Sequence, residues 1–342
     1  MNSLNEILNA ESPMRLDRYM ELCLSHPEFG YYMSQQPFGA HGDFTTAPEI
    51  SQMFGELIGL WLVHMWQASG APAHFVLLEL GPGRGTLMAD ILRAAQLAPA
   101  FLEAAHICLL ESSNSLRKTQ KDTLSKYEIN HLNSLEDLPN APLFMVANEF
   151  FDALPIRQFV KNDFGWQERL VKMEAGWVLS KTKENPELDA AFSNIETGRI
   201  VEVCQMAQEV SDTLTRHIAK QGGAALVIDY GEFDGVGDTF QAVKNHKKVD
   251  VFSTPGEADL TAHVRFNDLV HNNVAHGFTT QGDFLLQLGL DARRQALEAS
   301  GGEGLAAQQH RLVDASEMGA LFKVLALVPG GFGSIPGFEN GA

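Results

Sequence analysis

Beyond residue 74 the chain alternates between short unbroken apolar runs and longer stretches with apolar residues every three or four positions. The runs are FVLLEL (75–80), HICLLE (106–111), PLFMVANE (142–149) and AALVIDYG (224–231). Their length and their lack of polar alternation predict strands covered on both faces. TLMADILRAAQL (86–97), SLRKTQKDTLSKY (115–127) and the stretch from Val201 to Ala219 carry helical periodicity, and EINHLNSLEDL (128–138) gives a short strand and a turn. Strands separated by helices imply a parallel sheet with helices on both faces, an α/β fold. HRLVDASEMGALFKVLALVP (310–329) closes the pattern with a helix and a last strand.

Two regions depart from this rhythm. Near the start, MRLDRYMELCLS (14–25) reads as a helix, residues 26–49 as a long irregular loop rich in Gly, Pro and aromatics, and Ile50 to Ala68 as a second helix. Aromatics in so long a loop point to function rather than disorder. Between Arg157 and Leu179 apolar and polar residues alternate, with Gly165 and Gly176 at the bends, which predicts an inserted antiparallel β-meander. No internal repeat and no low-complexity segment interrupts the chain.

The 342 residues include 45% apolar and 20% charged side chains, enough for a real core. With 43 acidic against 25 basic residues the net charge is −18, which argues against nucleic acid and anionic lipid and favours a cationic partner. Cys23, Cys108 and Cys204 are far apart and form no CxxC pair, so a reducing compartment is expected. The N-terminal residues show neither a secretion signal nor a transit peptide, and the most apolar helix, FGELIGLWLVHMW, is broken by Glu56 and His64 and too short to span a bilayer. A cytoplasmic protein of bacterial type without stable membrane insertion is the expectation. Twelve histidines without ligand spacing suggest no metal site.

The candidate chemistry centres on ELGPGRG. Gly81, Gly83 and Gly85 lack the Lys and hydroxyl residue of a phosphate-binding Walker loop, and Thr86 stands where a dinucleotide fingerprint needs its third glycine. Glu79, at the end of the first run, would repel a pyrophosphate and attract an ammonium or sulfonium. S-adenosyl-L-methionine meets that requirement, with bare glycine backbone letting it approach closely. Glu111, ending the next run, is a candidate acceptor for both ribose hydroxyls. The competing reading is a tight turn with two acids favouring helix dipoles.

The run PLFMVANE leads into ANEFFDALPIRQF. Parallel sheets bind ligands beyond their carboxyl ends, so Asn148, Glu149 and Asp152 should face the reacting methyl group as candidate catalytic residues. Two carboxylates suit an arginine guanidinium, a planar cation that stays protonated. Equally, the acids could cap the next segment, with Phe150 and Phe151 in the core. Asp43 and Thr45, in HGDFTTAPE, are candidates for a lid over the cofactor, and Thr45 or Thr46 also suits a helix N-cap. Asp229 at a strand end reads as well as a turn residue as a ligand contact; Asp259 and His263 are weaker candidates.

FGYYMSQQPFGAHGDFTTAPEISQMFGELIGLWL, LLELGPGRGTLMADILR, ANEFFDALPIRQF, VIDYG, DLTAHVRF, TTQGDFLLQLG and HRLVDASEMGALFKVLAL, in that order, resemble the MidA family across nearly the whole chain. That family includes a mitochondrial complex I assembly protein that methylates arginine. The resemblance implies a class I S-adenosylmethionine methyltransferase with a Rossmann-like seven-stranded sheet. It also implies an N-terminal helical extension and lid loop over 1–70, and a methyltransferase domain over 71–342 with insertions near 156–200 and 285–312. It further implies a protein partner presenting an arginine, with a complex I subunit as the candidate. A protein that binds the cofactor or a partner with little turnover, as an assembly chaperone, is the alternative. The sequence specifies neither the oligomeric state nor the degree of methylation.

Overall fold

The computed structural model describes residues 3–34 and 46–338. They form two compact units: residues 3–34, 152–208 and 234–265 make one, and residues 46–151, 209–233 and 266–338 the other.

The second unit holds the parallel sheet. Its strands are β1 (Phe75–Leu80), β2 (Ala105–Leu110), β3 (Ile129–Leu132), β4 (Leu143–Asn148), β5 (Gly223–Glu232), β6 (Val274–Thr280) and β7 (Phe322–Pro329). Seven strands lie side by side in the order β6-β7-β5-β4-β1-β2-β3. All neighbours from β5 to β3 run parallel, while β7 is antiparallel to both β5 and β6. Seven strands are what the resemblance implies, and the order reverses between β1 and β4. Every residue of β1 and β4 is buried, as their unbroken apolar runs require. Phe75, Phe101 and Phe144 stack edge and tilt against one another with centroids 4.8 and 5.1 Å apart.

Helices α1 (Gln52–Ala68), α2 (Thr86–Ala94), α3 (Asn114–Thr123) and α4 (Leu290–Ala299) belong to the same unit. The single helix expected from Ile50 breaks at Ser51, which sits in extended backbone and caps α1 by accepting from Met53 N. α1 packs closely on α2 through two glycines. A Cβ on Gly55 would lie 2.5 Å from Asp90 Cβ, and one on Gly59 would lie 2.9 Å from the Ile91 backbone. Beside this notch the buried Glu56 bridges Arg93 Nε (3.1 Å) and Arg293 Nε (2.7 Å), tying α1 to α2 and α4. Such a pair of arginines offsets the cost of burying a carboxylate.

The first unit contains helices Leu4–Glu11 and Leu16–Ser25 and two antiparallel sheets. In the larger, Arg157–Asn162 pairs with Gly165–Lys172, which pairs with Gly176–Leu179, giving the expected meander with glycines at its bends. Ile200–Val203 adds an edge strand on Arg157–Asn162. The helix expected from Val201 therefore begins later, at Gln205; the β-branched Ile-Val-Glu-Val segment finds a strand partner first. The smaller sheet joins Lys247–Val249, Gln241–Lys244 and Asp259–Thr261. Tyr19, Met20, Leu16 and Leu8 fill the core of this unit.

Replacing Gly59 by Val should force α1 off α2 and cost about 1–3 kcal/mol, the usual range for overpacking. Urea unfolding checks this, with Gly330→Ala, where nothing lies within 4 Å of an added Cβ, as the neutral control.

Candidate active site

Strand β1 is buried to its end, and its last acid, Glu79, is only 3% exposed. The chain then has to reverse within a few residues to start α2. Gly81, Gly83 and Gly85 adopt φ of 60°, 51° and 82°, a left-handed series that only glycine accepts readily. Gly85 is the N-cap of α2 and has no side chain to satisfy the helix's first N–H groups. The Glu79 carboxylate fills part of that gap by accepting from the Met88 backbone N–H. Its Oε2, also buried, has no hydrogen-bond partner among the described residues.

Burial, with smaller pushes from Glu111 and Asp90, raises the Glu79 carboxyl to about 8 against the pull of Met88 N–H. At neutral pH the ligand-free acid is therefore mostly protonated, which refines the charge argument made from the sequence. Discrimination comes at the moment of binding. A cation draws the proton off and gains a buried carboxylate, whereas a phosphate cannot.

Glu111 stands just past β2, half-buried, with Oε1 accepting from Ser113 N at 2.8 Å. Burial raises its carboxyl above the usual range. Both expected acids and all three glycines thus lie in one unit, beyond the carboxyl ends of β1 and β2. Asn148 ends β4 and donates through Nδ2 to Glu149 Oε1 at 3.1 Å, while its own buried Oδ1 has no partner among the described residues. Glu149 is left-handed, with φ 52°, and its N–H is held by Ile228 O at 2.9 Å. A non-glycine residue in that conformation is strained by about 1–2 kcal/mol, and such strain concentrates at functional positions.

Asp152 is buried in the other unit, where its carbonyl accepts from Ala262 N at 3.0 Å. Asp43 and Thr45 lie outside the described residues. Thr46 is the N-cap of the Ala47–Ile50 turn without a side-chain cap bond. Asp229 is fully buried and accepts from Phe151 N (3.0 Å) and Tyr230 N (2.9 Å), so it braces the turn after β4. Asp259 accepts from Tyr32 Oη at 2.7 Å. Among the described residues no cluster of His, Cys, Asp and Glu could hold a metal ion.

Two further side chains enter the site, Glu49 and Phe150, the second of which the sequence placed in the core. Glu49 accepts from Thr86 Oγ1 at 2.7 Å and pairs with Arg84 at 3.7 Å, holding the start of α2. Phe150 lies over Gly81, where an added Cβ would sit 3.0 Å from its Cδ2. Nothing in the spacing of either signals these contacts; both depend on the turn geometry.

A family model described as "Putative S-adenosyl-L-methionine-dependent methyltransferase" matches residues 57–283. Protein arginine methyltransferase NDUFAF7, mitochondrial, of Danio rerio is 36% identical over 355 residues, spanning 93% of this chain and 84% of the relative. Its human counterpart is 36% identical over 361 residues, spanning 94% and 81%. The chain belongs to this methyltransferase family. A crystal structure from Burkholderia thailandensis, described as a "likely methyl transferase" bound to S-adenosyl-homocysteine, matches at a TM-score of 0.84 with 30% identity, covering 98% of this chain and 93% of that one.

The protein is an S-adenosylmethionine-dependent methyltransferase of Rossmann-like fold. The residues present fit that cofactor: an orphaned buried carboxylate oxygen for a cationic donor, an open glycine backbone, and a second acid one strand away. The expectation of a cytoplasmic location is overturned, because the fish, bovine and human relatives are all named mitochondrial. It rested on cysteine usage and on the composition of the N-terminal residues, neither of which distinguishes one reducing compartment from another.

Raised in the folded protein, Glu79 contributes stability that is complete below its unfolded value near 4.5 and is lost as pH rises through about 8. A cationic ligand that needs the ionised form reverses this loss. S-adenosylmethionine affinity should therefore climb between pH 6 and 8, by up to about tenfold per unit, and then level off. Calorimetric titrations across that range should show the slope in the wild type and a flat profile in Glu79→Gln.

Proposed function

We propose that this methyltransferase is a protein-arginine N-methyltransferase whose acceptor is an arginine side chain of a protein, with a subunit of respiratory complex I as the candidate. The observation that carries the reading is the end of β4, where Glu149 is held in a left-handed conformation beside the unpartnered buried Oδ1 of Asn148. The relatives named protein arginine methyltransferases support it from outside the chain.

In this reading Glu79, Gly81, Gly83, Gly85 and Glu111 hold the cofactor, with Asp43 and Thr45 assigned to it from their place in the sequence. When bound, the cofactor supplies an electrophilic methyl group on a sulfonium. Glu149 accepts from two guanidinium N–H groups and Asn148 Oδ1 from a third, which fixes the plane of the acceptor and localises its charge. Asp152 is assigned to acceptor recognition on its place three residues further along the same segment. The guanidinium proton displaced by methylation passes to a carboxylate, and Glu149 is the residue to take it. Most of the acceleration then comes from positioning.

Glu149→Gln keeps one acceptor oxygen but loses the charge and the proton-accepting role. It should bind S-adenosylhomocysteine within about threefold of the wild type and lose about 10²–10³ in kcat, the scale of removing one electrostatic contact to a reacting centre. The acceptor class is tested by incubating purified protein with labelled cofactor and extract from cells lacking it, then hydrolysing the labelled band. Methylarginine is expected. Methyl-lysine alone, or a labelled small molecule, refutes the assignment.

A further inference from the structure

The glycine turn and Glu111 follow successive strands, and one side chain links them. Gln120, on α3, is fully buried. It is the only residue of that helix classed as buried, a place an apolar side chain would ordinarily take. Its Nε2 donates to the Gly83 carbonyl at 2.7 Å and to Glu111 Oε2 at 3.2 Å. Its Oε1 meets His131 Nε2, on β3, at 2.8 Å.

Two acceptors on one side of the amide leave only the NH₂ group for that side. Oε1 therefore accepts, and His131 carries a proton on Nε2. Both amide hydrogens and the amide oxygen are thus used. Burial, then the charges of Arg117 and Lys121, hold His131 below its usual pKa. Arg117 reinforces the same corner, donating to the Glu111 carbonyl at 2.7 Å and to the Leu132 carbonyl and Asn133 Oδ1 at 3.0 and 2.9 Å. Gln120 Cγ also lies 3.6 Å from where a Gly85 Cβ would stand, so the residue packs under the turn it bonds.

An amide buried with all its bonds made is stiff, because any shift leaves a polar atom unpaired. Here that stiffness joins two elements assigned to opposite parts of one ligand. We infer that Gln120, held by His131, is a positioning residue for the cofactor: it fixes the Gly83 carbonyl and the Glu111 carboxylate relative to each other, so that the site selects a nucleoside with both ribose hydroxyls free. This rests on the assignment of Glu111 to the ribose.

The test uses the full-length protein and calorimetry, with S-adenosylhomocysteine and its 2′,3′-dideoxy counterpart as probes. Gln120→Met should weaken the first by about 10–100-fold and the second by less than about threefold, collapsing the wild-type preference for the diol. In a Glu111→Gln background the same change should cost less than about threefold more, since the two residues act together. His131→Phe should give an intermediate loss of about 3–10-fold with the same selectivity, and it carries the test if Gln120→Met does not fold. A merely structural role would lower the melting temperature and weaken both probes equally, or neither, and either result overturns the inference. A wild type that binds S-adenosylhomocysteine but ignores the diol overturns the assignment of Glu111, and this inference with it.

Discussion

A carboxylate buried at the end of a strand covered on both faces costs several kcal/mol unless something answers its charge. Glu79 is answered only in part. One oxygen receives an N–H from the first turn of α2, and the other has no hydrogen-bond partner among the described residues. The geometry that permits even this much is the run of left-handed glycines, which lets α2 start directly above the strand end. Bulkier residues would have to leave that region of backbone space and carry the helix N–H groups away from the acid. Turn, helix start and acid therefore stand or fall together.

The sheet decides what faces this corner. Because β1, β2, β4 and β5 are parallel, their carboxyl ends lie along one edge, and the strand order reverses between β1 and β4. That reversal opens the crevice in which open α/β sheets place their ligands. Glu79 is the penultimate residue of one of the two strands at the reversal, and Asn148 ends the other. The ends of β1 and β4 thus meet by topology, without any long-range contact having to be specified for the purpose.

Much of this was legible in the residues. FVLLEL and PLFMVANE are unbroken because both faces of β1 and β4 are covered, and glycines at 81, 83 and 85 mark a backbone that turns left-handed three times. Other parts carried no signal. VAHGFTT, which becomes β6, is mostly half-buried and polar, so its pattern resembles a loop. The direction of β7 leaves no mark on its composition, since a run covered on both faces looks the same whichever way it points. Glu149 gives no hint of its strained backbone, which is imposed by the hydrogen bond to Ile228. Gln120 sits among Lys and Thr on a helix of polar composition, and only the fold shows that it points inward.

The ring of Phe150 rests on Gly81 at contact distance, so the segment after β4 is seated directly on the glycine turn after β1. Neither can be exchanged by itself. A designer wishing to transplant a foreign acceptor segment onto this scaffold would have to keep a flat side chain at position 150, or the graft would lift off its own floor. Retargeting this enzyme is accordingly easier by altering what lies beyond Phe151 than by rewriting the two residues before it.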